Sequence, residues 1–191
     1  MVQANGSGAA LVIIDVQVAI MDGPDPAYPP IHARNDVLAK IDQLLQTARS
    51  AGAPVIYVQH DHPTFTPMTA GAPGWQIHPA VAPNAGEIKI RKRAADAFYG
   101  TALRSELDAR GVTRLIIAGC ETDKCVDTTV RRALSLDFDI TLAADAHTTT
   151  SGMENGLLTP DQIIAHHNAT LADLPHPTRE IVVMPAAEVA F

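Results

Sequence analysis

Short runs rich in Val and Ile alternate with helix-like stretches along nearly the whole chain, and this alternation restricts the fold more than any other feature. Ala10 to Ile14, Pro54 to Val58, Glu87 to Ile90, Arg114 to Ala118, Phe138 to Leu142 and Glu180 to Met184 read as strands. Runs such as Leu11 to Ile14 carry no polar residue, the pattern of a strand covered on both faces. Val37, Leu38, Ile41, Leu44, Leu45 and Ala48 recur at helical spacing before a stop at Gly52. Thr101 to Arg110, residues 122 to 136, and the stretch holding Ile163, Ile164, His167 and Leu171 read as further helices. Strands that alternate with helices build a parallel sheet, because each parallel crossover needs a long connection. The expected fold is therefore α/β in three layers, with helices on both faces of a mostly parallel sheet of about six strands. Ligands of such sheets sit beyond the C-terminal strand ends. Residues 60 to 86, rich in Pro, Gly and His, read as one long loop, and loops of that length often serve function.

A chain of 191 residues is expected to form one domain over 1–191, and no repeat or linker interrupts it. Its 47% apolar and 18% charged residues fit a globular protein rather than a disordered one. A net charge of -7 argues against nucleic acid or an acidic lipid surface as partner. No apolar run approaches the length needed to cross a bilayer. The opening M-V-Q-A-N-G-S-G has no basic segment followed by an apolar one, so no secretory leader is read there. A soluble, cytoplasmic protein is the expectation. Its two cysteines, Cys120 and Cys125, are too few for a disulfide framework or an all-thiolate zinc site. Each is either core filler or a reagent.

Three reactive groups lie at or just beyond strand ends. Asp15 closes the first strand, Lys92 follows the third, and Cys125 comes shortly after Gly119, which ends the fourth. An acid, an amine and a thiol at three ends of one sheet can converge in space. With Thr122 as a helix cap, Cys125 falls in the first helical turn, where the dipole and free N–H groups favour a thiolate. An ammonium at Lys92 pushes the same way. Asp15 would take the thiol proton and later pass it to a leaving amine. Backbone N–H groups of the strand-to-helix turn would hold an oxyanion. Residue type alone also fits blander roles: Cys125 as buried filler, Asp15 as a turn residue, and Lys92 as part of a solvated run with Lys89, Arg91 and Arg93.

Several stretches resemble the isochorismatase-like cysteine hydrolases, a superfamily that includes nicotinamidases, carbamoylsarcosine amidohydrolases and ureidoacrylate amidohydrolases. They are L-V-I-I-D-V-Q at 11–17, G-W-Q-I-H-P at 74–79, I-R-K-R-A-A-D-A-F-Y-G-T at 90–101 and I-I-A-G-C-E-T-D-K-C-V-D-T-T-V-R-R-A at 116–133. D-A-H-T-T at 145–149 and I-I-A-H-H-N at 163–168 also match. The resemblance implies a Rossmann-like fold and a triad of Asp15, Lys92 and Cys125. It selects Lys92 over Lys89 by the distance to Phe98, although this chain reads Asp96-Ala97-Phe98 where the family has Ser-Ala-Phe. It implies a non-proline cis peptide between Cys120 and Glu121, with the N–H groups of Glu121 and Cys125 as oxyanion donors and Cys120 as a buried strand-end residue. Because the namesake isochorismatases lack the cysteine, the presence of Cys125 implies amide or carbamoyl hydrolysis through an acyl-thioester. Gln17, His60, Trp75, Phe98 and Tyr99 are the expected substrate-pocket residues, with Trp75 and Phe98 open to a core role. A homodimer or homotetramer is the implied assembly.

Nicotinamidases of this superfamily hold a metal with an Asp-x-His pair and a later His. Here the run is Gln59-His60-Asp61-His62-Pro63, with His60 where the Asp would stand and His62 and His78 matching the histidines. The expectation is no cofactor, with Zn on His60, His62 and His78 as the alternative. The rival classes are a hydrolase working through zinc-bound hydroxide and a non-catalytic binding protein of the same fold. No G-x-G-x-x-G or G-x-x-x-x-G-K-S/T loop follows a strand, which argues against a nucleotide-binding protein.

Overall fold

Six strands pair in one wholly parallel sheet, in the spatial order β3-β2-β1-β4-β5-β6. They are β1 (Ala9–Ile14), β2 (Val55–His60), β3 (Ile88–Lys92), β4 (Arg114–Cys120), β5 (Asp139–Thr148) and β6 (Ile181–Met184). The helices are α1 (Val18–Met21), α2 (Arg34–Ser50), α3 (Leu103–Asp108), α4 (Asp127–Ser135) and α5 (Pro160–Ala172). The computed structural model describes residues 8–152 and 157–191; the opening segment read above for a leader lies outside them but for Gly8. No helix among the described residues is long and apolar enough to cross a membrane.

The layering follows from the two-residue period of a strand. Ala9, Leu11 and Ile13 of β1 pack with Val37, Leu38, Ile41, Leu44 and Leu45 of α2 on one face. Ala10, Val12 and Ile14 pack on the other with Leu103 and Leu107 of α3 and Val130 and Ala133 of α4. Every residue of β1 is therefore buried, which is why the strand carries no polar alternation. Local signals set the helix ends. Thr159 and Gln162 exchange hydrogen bonds as a capping box, and Pro160 opens α5.

From β1 the chain winds outward to β3, and from β4 it winds the other way to β6. The reversal lies between β1 and β4, and a crevice opens beyond their C-terminal ends. Two elements differ from the sequence reading. β5 runs on to Thr148, past a register break. Ile117 pairs with Leu142, but Gly119 pairs with His147 and Cys120 with Thr148, so the four residues 143 to 146 stand against Ala118 alone. The expected helix over 122 to 136 splits into one π-helical turn, Thr122–Val126, followed by α4. Thr122 does not cap it: its hydroxyl meets His147 Nδ1 at 2.9 Å instead.

Candidate active site

The strand ends bring Asp15, Lys92 and Cys125 into one cluster. Asp15 leaves β1 with φ 53°, a left-handed backbone that Asp tolerates better than most residues. Its N–H donates to Val58 O at 2.8 Å, which ties the turn to β2. Lys92 shares its face of β3 with Ile88 and Ile90, whereas Lys89 and Arg91 point to solvent. Strand parity thus selects Lys92 independently of any motif. β3 lies two strands from β1, roughly 10 Å away at about 4.8 Å per strand, so only a long flexible stem carries a cation that far. At Gly119, φ is +124° and an added Cβ would lie 2.0 Å from Ile14 O. Glycine alone permits that approach, which leads β4 directly into Cys120, Glu121 and the turn bearing Cys125.

Lys92 Nζ lies 2.7 Å from Asp15 Oδ2, and the two side chains are 0% and 2% exposed. The same ammonium donates to Cys125 Sγ at 3.0 Å and to Ala94 O at 3.0 Å, with His60 Nδ1 at 3.4 Å. Asp15 Oδ1 is buried without a hydrogen-bond partner among the described residues. Burial lifts the Asp15 carboxyl above its usual range, and Lys92 offsets this only in part. Burial would depress Lys92, but Asp15 and then Cys125 outweigh it and hold the ammonium above its usual range. Cys125 is pushed up to about 12, first by burial and then by the Asp15 charge, against the pull of Lys92. Burial and the Asp15 charge thus work against the thiolate that the sequence reading expected. The turn runs directly into α4, whose dipole favours a thiolate, but desolvation of a sulfur beside a carboxylate outweighs it.

The flanking residues divide. The Cys120–Glu121 peptide is cis. Cys120 is wholly buried against Met21 Sδ at 3.5 Å, and burial holds its thiol well above the ordinary range. Glu121 N–H has no acceptor among the described residues. Gln17 is not a pocket residue. Its buried amide donates to His60 O and Trp75 O and accepts from His60 N–H at 2.8 Å, stapling the end of β2 to the loop that follows it. Phe98 packs in the core against Phe138, with ring centroids 6.0 Å apart. Trp75 is half-buried, with Arg91 over its ring. Tyr99 is 73% exposed and borders a shallow cavity with Arg91, Lys92 and Arg93. A second, more apolar cavity of ≈ 490 Å³ is lined by Ile20, Tyr28, Phe65 and Met68, by Glu121 and by Lys124 of the Cys125 turn. None of the five expected pocket residues lines it; loop packing decides such walls, and loops follow no periodicity.

The zinc alternative fails on geometry. His62 Nδ1 accepts from Thr64 and Phe65 N–H, and His78 Nδ1 accepts from Ala80 N–H while its Nε2 lies 3.4 Å from Asp22. Among the described residues the convergent set is Asp15, His60 and Cys125, within 4.8 Å of one another. The Lys92 ammonium already bonds two of these and faces the third, so the cluster carries its own cation. Burial, then Lys92, holds His60 below its usual range. The residues that sequence reasoning left without a role here are His147 and Asn168. His147 and Asn168 stood in matched stretches, and their partnership across two elements left no local sign.

The isochorismatase domain family matches residues 9–157. A streptothricin hydrolase from Streptomyces noursei is 39% identical over 140 residues, covering 73% of this chain and 49% of its own. The chain thus spans about half the length of that relative. A maleamate amidohydrolase from Pseudomonas putida is 31% identical over 151 residues, covering 70% of this chain and 68% of its own. The crystal structure of an isochorismatase from Pseudomonas putida KT2440 superposes with a TM-score of 0.84 at 33% identity, covering 96% of this chain and 90% of that one. With the fold and most of the chain matched, the protein belongs to the isochorismatase family.

Proposed function

We propose that this protein is a cysteine hydrolase that cleaves the C–N bond of an amide or carbamoyl group through an acyl-thioester on Cys125. The observation that carries this reading is the sealed contact of Lys92 Nζ with Asp15 Oδ2 and Cys125 Sγ, at 2.7 and 3.0 Å. A buried ammonium holding both a carboxylate and a sulfur stabilises negative charge on either one. As Cys125 attacks the carbonyl carbon, its proton passes to the unpartnered side of Asp15, and Lys92 meets the growing charge on sulfur. The Glu121 and Cys125 N–H groups would receive the carbonyl oxygen. Asp15 then protonates the nitrogen, the C–N bond breaks, and ammonia or an amine leaves. Water attacks the thioester and gives up a proton to Asp15; the C–S bond breaks, and that proton returns to sulfur as the acid departs. The maleamate amidohydrolase among the relatives supports hydrolysis of an amide bond.

The cavity beside the Cys125 turn, ≈ 490 Å³, suits a small molecule. Screening small amides and carbamoyl compounds for ammonia release tests the reading. Cys125→Ala should abolish turnover with the fold intact by circular dichroism, and a fully active Cys125→Ala enzyme refutes the mechanism.

A further inference from the structure

His147 is buried to 1% exposure, outside the cluster of Asp15, Lys92 and Cys125, and its pKa is lowered to about 4, chiefly by burial. Its neutral ring is bonded at both nitrogens. Asn168 of α5 donates its amide N–H to Ala144 O at 3.1 Å, which leaves Asn168 Oδ1 as an acceptor. His147 Nε2 lies 2.9 Å from that oxygen and must carry the hydrogen. His147 Nδ1 is then the acceptor for the Thr122 hydroxyl at 2.9 Å. The chain of bonds runs in one direction, from Thr122 through His147 and Asn168 to a β5 carbonyl, and each of the named groups has its partner.

The sheet's irregularity serves this contact. In the register set by Ile117 and Leu142, Gly119 would face Ala144; the three-residue shift brings His147 opposite it instead. Bulges of this kind re-aim a side chain near a working site. Thr122 is fully buried and opens the turn that carries Cys125, directly after the cis bond and Glu121. Two stretches distant in sequence, at 145–149 and 163–168, thus converge on one hydroxyl of the nucleophile turn.

We propose that His147 and Asn168 are positioning residues, which clamp the Thr122 hydroxyl and so aim the Cys125 turn at Lys92 and Asp15. The idea rests on Cys125 as the nucleophile, but its test needs no substrate. The readout is the rate of Cys125 alkylation by iodoacetamide at pH 9 and 25 °C in the intact protein, followed by peptide mass, beside the melting temperature. Thr122→Val keeps the side chain's shape and removes the clamped hydroxyl, and should slow alkylation about tenfold or more, because a buried sulfur turned away from Lys92 loses the contact that favours its thiolate. Thr122→Ser keeps a hydroxyl and should restore the rate to within about twofold on the same reasoning. Asn168→Ala, a helix-compatible change on half-buried α5, releases His147 and should also slow alkylation. It carries the test if Thr122→Val does not fold. A purely structural role predicts lower melting temperatures with unchanged alkylation in the folded variants, and that result overturns the proposal; so does equal slowing by Thr122→Ser. Loss of the hydrolase reading, through an active Cys125→Ala enzyme, would leave these alkylation rates as they are and so is told apart.

Discussion

Lys92→Met removes the charge at the centre of the cluster while keeping an unbranched stem of similar length. At 2.7 Å from Asp15, and with an effective dielectric near 20, the lost attraction is about 6 kcal/mol. Asp15, 2% exposed, cannot turn to water for compensation. It escapes part of the cost by taking up a proton, so the net loss should be about 3–5 kcal/mol, as for other buried pairs stripped of one partner. Its pH dependence follows from the direction of the Asp15 shift. That carboxyl already titrates above its usual range, and without Lys92 it rises further. A carboxyl raised in the fold stabilises it fully below the unfolded pKa, and the benefit is lost as pH climbs through the folded value. The deficit of the variant should therefore be small near pH 4 and grow as the pH rises toward 8. Urea unfolding across that range, followed by circular dichroism, measures it. Asp15→Asn combined with Lys92→Met should recover stability at about pH 8, because no buried charge remains. A loss below about 1 kcal/mol at pH 8, or one that does not change with pH, would refute the account of the pair.

Gly119→Ala should destabilise the fold by about 3 kcal/mol or more, since its Cβ meets Ile14 O and its φ is positive; an unchanged melting temperature contradicts this. Gln17→Leu should cost about 1–3 kcal/mol by orphaning the His60 N–H and C=O, read by urea midpoint. Cys125 is raised to about 12, so the fold loses stability as pH rises through the alkaline range, where the unfolded thiol ionises and the folded one does not. Cys125→Ala should flatten that part of the alkaline loss, measured by denaturation at pH 8 to 10. Dialysis against EDTA should leave hydrolysis unchanged, because Lys92 supplies the cation of the Asp15–His60–Cys125 cluster; loss of turnover restored by zinc would reverse that reading.

The parallel three-layer fold was legible because its cause is local. A β1 strand buried on both faces must be apolar at every position, and α2 must repeat its apolar side chains at helical spacing. The alternation Ile88, Ile90, Lys92 even marks which lysine faces inward, so Lys92 could be selected from its own strand. Asp15 and Cys125 stood out by their places after β1 and β4 and by the motifs around them.

What only the tertiary structure decided depends on groups far apart in the chain. The protonation of Cys125 is set by burial and by Asp15 over a hundred residues away, and these override the helix-start argument drawn from neighbours. Gln17 was read as a pocket residue and Phe98 as pocket or core; partners 43 residues away consumed the first, and the core absorbed the second. His147 and Asn168 were visible only as familiar letters, because a bulge in β5 and the docking of α5 bring them to Thr122. Periodicity reports which face a residue shows; desolvation and pairing depend on what meets that face, and folding alone supplies the partner.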